Sequence, residues 1–422
     1  IKAICHNSIL HITMKLTFLS LTLFFCTLGS IFPQAIQAQT MVQKQAVPPT
    51  TEDSIRFSLL TCGAGEEIYS LFGHTAIRYE NFTRGIDAVF NYGIFSFNTP
   101  NFILRFTLGE TDYQLGVTSY KQFAYEYTWT GRDVWQQTLN LNAEEKKKLL
   151  ALLEENYLPQ NRIYRYNFFY DNCATRPRDQ IERAVQGTLE YADDMTSFQT
   201  GISFRDIVHQ YTIGHSWARF GIDLCLGSQA DKDITRRQMM FAPFYLKDFL
   251  AKAQLKNAQG MERPLVSSED HIIQSPQQTS TEETPSPLQT AFLLFTIVTI
   301  ATAYGIYRRK SLWLLDLLLF LAAGVAGCIL AFLASFSQHP AVSPNYLLFL
   351  FHPLHLLCLP WMIKRVRKKE KSIYMWANIT VLTFFILLWG IIPQEFNLAV
   401  LPLALSLWIR SASNLYLTYI RK

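Results

Sequence analysis

Residues 170–179 read Tyr-Asp-Asn-Cys-Ala-Thr-Arg-Pro-Arg-Asp. Two good helix N-cap residues precede Cys173, and the apolar periodic run after it closes at Gly187, which predicts a helix with Cys173 in its first turn. The helix dipole, the free backbone N–H groups and the charges of Arg176 and Arg178 would favour a thiolate there. Such a thiolate is a nucleophile suited to hydrolysis or acyl transfer. The alternative is a buried structural cysteine.

A nucleophilic cysteine needs a general base, and the base needs a partner that orients it. His74 follows Gly73 at the start of a predicted strand, and Asn91 lies near the end of the next strand. An amide on a neighbouring strand can fix the tautomer of a histidine so that the other ring nitrogen faces the thiol. We therefore expect Cys173 as nucleophile, His74 as base and then acid, and Asn91 as the orienting residue. Three other residues compete for the orienting role, namely Tyr92, Glu80 and Asp171.

The oxyanion formed by attack of this cysteine has to be held by hydrogen-bond donors. The backbone N–H of Cys173 is one donor, and Asn172 is the candidate for a second, with Asp171 as a further orienting residue. The seven cysteines are too scattered for a disulfide scaffold, and no Cys/His spacing suggests zinc. The sequence carries no nucleotide motif, and we expect no metal and no cofactor.

The residues around this site predict antiparallel strands followed by helices. Asn142-Ala143-Glu144-Glu145 is a capping box that opens a helix ending near Tyr157. Together with the helix after Cys173, this order indicates an α+β domain from residue 54 to residue 256. The predicted strands cover residues 55–61, 73–79, 88–93 and 132–141.

The N-terminal residues resemble a targeting signal. After an extension without pattern, Met14-Lys15 begins a positive segment that continues as an apolar stretch to Phe32 and ends in small residues at Ala38. This pattern is typical of a secretory signal peptide cleaved after Ala38, so that residues 1–38 are the extension and signal peptide and residues 39–53 a short leader. An uncleaved anchor helix is the alternative. The mature N-terminus is therefore expected outside the cytoplasm.

The second half of the chain differs from the first in composition. Residues 267–287 are rich in Ser, Thr, Gln, Glu and Pro, which predicts a disordered linker over residues 257–287. Long apolar runs follow, and they predict an all-α transmembrane domain of five helices over residues 288–422. The predicted spans are 288–307, 312–332, 346–363, 373–392 and 398–409, the last of which can extend to residue 419.

Charge is distributed as in a membrane protein. Much of the net charge of +5 lies in Lys/Arg clusters beside the apolar runs and does not form a patch typical of nucleic-acid binding. Basic connections alternate with neutral ones, so the positive-inside rule places the α+β domain and the neutral connections outside. On that side, His339 and Asn345 are candidates for contact with a headgroup or substrate. His352 and His355 lie in the third predicted span without an assigned role.

The order of histidine, polar residue on the following strand and Asn-Cys pair resembles the circularly permuted NlpC/papain-like superfamily, which includes the lecithin–retinol acyltransferase relatives. More closely, the chain resembles the Lnb family, the lipoprotein N-acyltransferases of Bacteroides-like bacteria (Bacteroidota). The motifs are Ser-Leu-Leu-Thr-Cys-Gly at 58–63, Tyr-Ser-Leu-Phe-Gly-His-Thr-Ala-Ile-Arg at 69–78, Asn-Tyr-Gly at 91–93 and Asp-Asn-Cys-Ala-Thr-Arg at 171–176. They cover the α+β domain, and the multi-span half is similar to the family less specifically.

This resemblance implies an acyltransferase of the bacterial inner membrane with its catalytic domain in the periplasm. Cys173 would take an acyl chain from a membrane lipid ester as a thioester and pass it to the α-amino group of a diacylglyceryl-cysteine lipoprotein. The donor would be a phospholipid or the lipoprotein's own glyceride, with Arg78 and Arg176 as candidate headgroup contacts. Cys225 departs from the family, where an aliphatic residue is expected, and can pair with Cys62 in an oxidising compartment.

Other functions stay open at this point. A cell-wall amidase or peptidase, or a phospholipase or thioesterase, would use the same Cys173 and His74 pair on the same fold. A membrane-anchored binding module would make both residues structural. Replacement of Cys173 by alanine separates these classes, because a binding module should keep working.

Overall fold

The computed structural model describes residues 54–95, 100–196, 200–257, 259–275 and 284–420. The predicted signal peptide and leader, residues 1–53, lie outside these residues. The described chain forms a mixed α/β N-terminal domain followed by a helical C-terminal domain, as the sequence predicts. The permuted papain-like class of the first domain and the number of spans in the second stay predictions.

An antiparallel sheet is the scaffold of the N-terminal domain. Its strands are β1 Ile55–Cys62, β2 His74–Asn81, β3 Ile86–Ile94, β4 Asp112–Ser119, β5 Val134–Leu139, β6 Ile163–Arg165, β7 Thr188–Glu190, β8 Gln254–Lys256, β9 Glu262–Pro264 and β10 Val266–Ile273. Seven of them form one sheet in the order β10-β5-β1-β2-β3-β4-β6, and β7-β8-β9 form a small second sheet. The interior strand β1 is buried on both faces, since Leu59 and Leu60 belong to different apolar clusters.

Helices cover both faces of the large sheet. They are α1 Phe102–Leu108, α2 Tyr120–Trp129, α3 Ala143–Tyr157, α4 Thr175–Ala184, α5 Phe204–Tyr211, α6 Ser216–Cys225, α7 Arg236–Met239 and α8 Pro243–Ala251. The predicted capping box is present at α3, where Asn142 and Glu145 each accept the other's backbone N–H. Leu149 of α3 and Ile181 of α4 belong to the core on one face, whereas Phe123 of α2 belongs to the cluster on the other.

The prediction of a disordered linker over residues 257–287 is wrong for its first part. β9 extends the small sheet, and β10 pairs with β5 from Val266 opposite Leu139 to Ile273 opposite Val134. β10 is an edge strand, and most of its side chains are exposed. A polar edge strand and a linker both present polar side chains to water, so composition alone does not distinguish them.

The C-terminal domain consists of helices of unequal length. They are α9 Pro287–Tyr307, α10 Trp313–Phe336, α11 Leu354–Leu357, α12 Leu359–Lys368, α13 Ile373–Leu387 and α14 Val400–Ile420. Among the described helices, α9 and α10 are long and apolar enough to cross a membrane, and α13 is apolar but shorter. The third predicted span, residues 346–363, is not one continuous helix. Pro353 stands at the start of α11 and Pro360 in the first turn of α12, where proline fits and a continuous helix would lose hydrogen bonds.

A buried ion pair joins three of these helices. The Arg410 guanidinium on α14 donates to both carboxylate oxygens of Asp316 on α10, at 2.7 and 3.0 Å, and to the hydroxyl of Thr302 on α9. Asn414 donates to the same carboxylate at 3.0 Å. Charges buried between apolar helices are tolerated only when each is paired and hydrogen-bonded. This cluster therefore fixes the packing of the three helices.

The connections of the C-terminal domain dock on the N-terminal domain through hydrogen bonds. The N–H of Gly227 donates to the carbonyl of Ala341, and the side-chain amide of Gln394 donates to the carbonyl of Leu226. These bonds fix the segment after α6 against the α10–α11 and α13–α14 connections. The two domains are therefore joined by specific contacts in addition to the covalent chain.

Candidate active site

Asn172 builds the turn that presents Cys173. Its side-chain oxygen accepts the N–H groups of the two residues after Cys173, at 2.8 and 2.9 Å. Its side-chain nitrogen donates to the carbonyls of Phe168 and Phe241, at 2.7 and 2.9 Å. Asn172 thus caps free N–H groups at the start of α4 from a position before the helix. Cys173 therefore lies in the turn before α4, whereas the sequence predicted that it lies in the first turn of the helix.

Cys173 lies where the pairing of β2 and β3 stops. The last paired residues of this ladder are Ala76 and Asn91. A Cβ placed on Gly93, two residues further along β3, would lie 3.5 Å from the Cβ of Cys173. Gly93 has a φ of +92°, in the left-handed region that favours glycine. β3 therefore leaves the ladder at a residue without a side chain. This leaves room for Cys173 beside Thr75.

The thiol of Cys173 is neutral in the free protein. Burial raises its pKa to about 11, although the backbone N–H groups of Thr75 and of Cys173 and the charge of Arg132 act to lower it. The surroundings of the thiol in the free protein therefore act against the thiolate that the sequence predicts. Loss of hydration disfavours the charged form of a buried group, and here that effect outweighs the nearby N–H groups.

His74 has the partner that the sequence predicts. Its Nε2 lies 3.3 Å from Oδ1 of Asn91, and Nδ2 of Asn91 donates to the hydroxyl of Thr118 at 3.3 Å. The bond to Thr118 turns the amide oxygen toward the ring, which favours the proton on Nε2 and leaves Nδ1 as the basic nitrogen. Burial and the charge of Arg132 lower the pKa of His74 to about 4, while the Asn91 bond raises it.

The residues that compete with Asn91 for the orienting role each have another partner. The pairs are Tyr92 with Asn156, Glu80 with Arg78, and Asp171 with Arg176. Of these four candidates, Asn91 is the one whose side chain bonds the His74 ring. The structure thus brings Cys173, His74 and Asn91 to the same end of β2 and β3.

The prediction of Asn172 as an oxyanion donor is wrong. Both hydrogens of its amide are donated to main-chain carbonyls, so none is left for a substrate. Its part in the site is to orient the turn that carries Cys173. A donor at the site that the sequence did not mark is the backbone N–H of Thr75, which is directed at the thiol of Cys173. No sequence pattern marks it, because its availability depends on where the pairing of two strands ends.

Tyrosines that the sequence analysis did not single out surround Cys173. Burial raises the pKa of Tyr113, Tyr164 and Tyr166, and the neighbouring Cys173 side chain adds to this rise. The rings of Tyr113 and Tyr166 stack with their centroids 4.1 Å apart. The alternation Tyr-Arg-Tyr at residues 164–166, shortly before the cysteine, is the sequence signal that could have marked a strand facing the site.

Arg132 is a second residue near the site without a sequence signal. Its Nε donates to the carbonyl of Gly63 at 2.9 Å, and its guanidinium lies 4.8 Å from the centroid of the Tyr127 ring. Its charge lowers the pKa of both His74 and Cys173. Arg132 therefore acts on the two reactive groups through its field.

The arginines predicted to contact a headgroup are both paired with acids. Arg78 forms a salt bridge of 2.7 Å with Asp87, and its side chain is 11% exposed, so the prediction of a headgroup contact is wrong for this residue. Its charge is neutralised inside the sheet. Arg176 bonds Asp171 and lies over the ring of Tyr164. Arg176 and Asp171 line a polar surface cavity of about 570 Å³ whose walls do not include the predicted nucleophile.

The two candidate residues of the outer connections both contact the N-terminal domain. Nε2 of His339 lies 3.2 Å from the carbonyl of Phe106 on α1. The side-chain nitrogen of Asn345 donates to the carbonyl of Leu224 at 2.8 Å, and the residue is buried. The prediction of a headgroup contact is wrong for Asn345, because its amide is used in docking the two domains. His339 has a docking contact of the same kind.

His352 and His355 are part of the helix packing. The ring of the buried His355 lies between the hydroxyl of Tyr374 and the carbonyl of Leu350. The His352 ring stacks on it, with centroids 3.8 Å apart. A Cβ on Gly327 of α10 would lie 2.5 Å from the backbone of His352, so the broken third segment approaches α10 as closely as glycine allows.

The described cysteines are free thiols, which corrects the possibility of a bond between Cys62 and Cys225. Cys62 belongs to the cluster under α2, whereas Cys225 packs against the C-terminal domain. Their elements are fixed by different packing partners. Over the part of the chain that the structure describes, no three His, Cys, Asp or Glu side chains are grouped as metal ligands.

Two family descriptions match the two halves of this chain. The family described as the Lnb N-terminal periplasmic domain matches residues 49–210. The family described as the Lnb transmembrane domain matches residues 278–422. No curated protein and no solved structure matches the chain.

Proposed function

This chain is an Lnb-type protein, a membrane protein with a periplasmic N-terminal domain, and we propose that it is a lipoprotein N-acyltransferase. It moves a fatty acyl chain from a membrane lipid ester to the N-terminal amine of diacylglyceryl-cysteine lipoproteins. The observation that carries the proposal is the meeting of Cys173, the His74–Asn91 pair and the Thr75 N–H in a domain docked on transmembrane helices.

The first half-reaction forms an acyl-enzyme. Nδ1 of His74 takes the thiol proton of Cys173 while the sulfur attacks the ester carbonyl carbon. The C–S bond forms, the ester C–O bond breaks, and His74 returns the proton to the leaving alcohol oxygen. Since His74 and Cys173 are both neutral in the free protein, proton transfer accompanies attack and does not precede it.

The second half-reaction transfers the acyl chain to nitrogen. The α-amine of the lipoprotein attacks the thioester carbonyl, and the C–N bond forms as the C–S bond breaks. His74 accepts the proton of the amine and returns it to the sulfur of Cys173. The net change is ester plus amine to amide plus alcohol, so the reaction needs no redox partner.

Backbone donors stabilise both tetrahedral intermediates. The N–H groups of Cys173 and Thr75 are directed at the thiol, and we assign them to the oxyanion that forms on the carbon bonded to that sulfur. Such donors are fixed before the reaction and need no reorganisation when the charge develops.

The location of the domain supports transfer over hydrolysis. Both lipids are held at the outer face of the inner membrane, and a catalytic domain docked on transmembrane helices gains concentration and orientation toward them. The partial burial of Cys173 limits the access of water to the thioester. The donor is a phospholipid or the glyceride of a lipoprotein.

The experiment is mass spectrometry of the N-terminal peptide of a reporter lipoprotein made in cells with each variant. The wild type and Cys225→Ala, which removes another free thiol of the same domain, should add an amide-linked acyl chain. Cys173→Ala should reduce this product by about a thousandfold or more.

Two outcomes contradict the proposal. A diacylated N-terminus in every strain contradicts the proposed N-acyltransferase activity. It favours a wall-peptide hydrolase or a phospholipase instead. Continued N-acylation by Cys173→Ala removes Cys173 as the nucleophile.

A further inference from the structure

Tyr164 carries a buried hydroxyl without a hydrogen-bond partner. The residue is 6% exposed, and its hydroxyl oxygen bonds no residue that the structure describes. An unsatisfied buried polar group destabilises the folded state, so few persist in native proteins. A phenylalanine would fill the same space without this penalty, which raises the question of what the hydroxyl does.

The hydroxyl borders the space next to the nucleophile. A Cβ placed on Gly93 would lie 4.0 Å from the Tyr164 oxygen and 3.5 Å from the Cβ of Cys173. The tyrosine and the cysteine therefore face the same gap, which the absence of a side chain on Gly93 keeps open. An acyl group bonded to Cys173 has to begin in the immediate surroundings of this gap.

The ring of Tyr164 is held from the other side. The guanidinium of Arg176 lies 3.5 Å from the ring centroid, and Asp171 bonds that guanidinium at 2.6 and 2.9 Å. The ring also contacts Tyr92 edge-to-face, with centroids 6.3 Å apart. This packing keeps the hydroxyl pointed toward the gap.

The phenol keeps its proton there. Burial raises the pKa of Tyr164, and the nearby Cys173 side chain raises it further, whereas the charge of Arg176 acts in the opposite direction. A protonated phenol is a hydrogen-bond donor. A donor that is already placed, with no partner in the free protein, is the arrangement that electrostatic stabilisation of an oxyanion requires.

We propose that Tyr164 is a catalytic residue whose hydroxyl donates a hydrogen bond to the oxyanion of the tetrahedral intermediates on Cys173. The inference rests on the proposed acyl transfer and adds a side-chain donor to the two backbone donors. The phenol does not lose its proton in either half-reaction. Asp171 and Arg176, which were candidates for other roles, act as positioning residues for this ring.

The test compares Tyr164→Phe with Tyr79→Phe in the full-length protein. Tyr79 is also 6% exposed, but its hydroxyl accepts a bond from Asn81 at 3.1 Å. Tyr164→Phe should lower kcat for acyl transfer by about a hundredfold and leave the thermal midpoint unchanged or higher. Tyr79→Phe should lower the midpoint and keep the kcat of the wild type, because it breaks a bond away from the site.

A second measurement does not depend on the natural substrate. A long-chain trifluoromethyl ketone adds to Cys173 and forms a tetrahedral oxyanion, whereas iodoacetamide alkylates the same sulfur without one. Tyr164→Phe should weaken the binding of the ketone about ten- to a hundredfold and leave the rate of alkylation by iodoacetamide unchanged. Failure of the proposed function would leave this difference intact.

The inference is overturned by any of three results. Tyr164→Phe retains the kcat and the ketone affinity of the wild type. Alternatively, it slows alkylation and weakens the ketone to the same extent, which indicates a displaced Cys173. A lower thermal midpoint for Tyr164→Phe equally contradicts it, because the hydroxyl would then have a structural partner.

Discussion

The reactive side chains of this site are tuned by burial more than by local charge. Cys173 and His74 both lose hydration, which raises the pKa of the thiol and lowers that of the imidazole. The two shifts favour the same neutral pair. Asn91 acts against this trend on His74, since its carbonyl oxygen stabilises the protonated ring. These shifts support the coupled proton transfer that we propose for the pair and act against a standing ion pair.

Arg132 provides the residue-scale prediction. In the proposed reaction His74 acts as a neutral base, so kcat/KM should fall as pH drops through the His74 pKa of about 4. The Arg132 charge lowers this pKa, so Arg132→Gln should raise it and move the acid limb of the pH profile upward by about half to one unit. Glutamine still offers a donor to the carbonyl of Gly63.

The control for this prediction is Arg84→Gln. Arg84 is an exposed cation in the turn that follows β2, at the opposite end of the strand from His74. Its removal should leave the acid limb in place. An unshifted limb in Arg132→Gln, or a downward shift, contradicts the assigned field effect.

At the scale of elements, the start of α4 and the edge of the sheet are set by side chains distant in sequence. Asn172 connects the turn before α4 to the carbonyl of Phe241, a residue far along the chain. β10 forms the edge of the sheet next to β5, and there the side chains of His271 and Asp133 also pair at 3.0 Å. Neither contact can be inferred from a local window of sequence.

Asn172→Ala tests the turn. It removes two accepted N–H bonds and leaves the carbonyls of Phe168 and Phe241 without their donor, which should cost about 2–4 kcal/mol. Asn142→Ala is the matched control, because it removes another helix cap that is remote from the site and should cost about 1 kcal/mol. Thermal midpoints of the two purified variants measure the difference.

Equal midpoints for these two variants contradict the role of Asn172. Activity adds a second comparison. Asn172→Ala should also slow alkylation of Cys173 by iodoacetamide, since the turn that presents the thiol loosens. Asn142→Ala should alkylate at the rate of the wild type.

At the scale of the molecule, one buried carboxylate connects the two domains. Asp223 on α6 is 2% exposed and bonds Arg205 and His209 of its own domain, at 2.9 and 2.8 Å. Its other oxygen accepts a bond of 2.9 Å from Asn397, in the connection before α14. This bond adds a polar contact to the apolar packing of Phe220, Leu224 and Cys225 against the membrane domain.

Asn397→Ala should loosen this docking without unfolding either domain. Arg205 and His209 still hold Asp223, so the periplasmic core keeps its bonds, while the interdomain bond is lost at a cost of about 1–2 kcal/mol. Hydrogen exchange should become faster at residues 223–228 and 340–345. Asn378→Ala, which breaks a bond to Ser411 within the membrane domain, should not change exchange at 223–228. Unchanged exchange in Asn397→Ala argues against this contact as a docking element.

The division into an α+β domain and an apolar helical half can be predicted from the sequence, because hydrophobic pattern and capping residues are local. The sequence also predicted that His74 and Asn91 lie close together on neighbouring strands, since neighbouring strands with short connections pair in a predictable way. The catalytic roles of these residues and of Cys173 stay predictions until the variants are measured.

Which polar groups have hydrogen-bond partners and which remain available depends on the tertiary structure. Asn172, Arg78 and Asn345 bond Phe241, Gln136 and Leu224, which are distant in sequence, so their predicted substrate contacts are lost. Tyr164 is left unpaired beside Cys173. Burial likewise set the protonation of the thiol. Hydrogen bonding and desolvation depend on the whole set of neighbours in space, which a local sequence pattern does not contain.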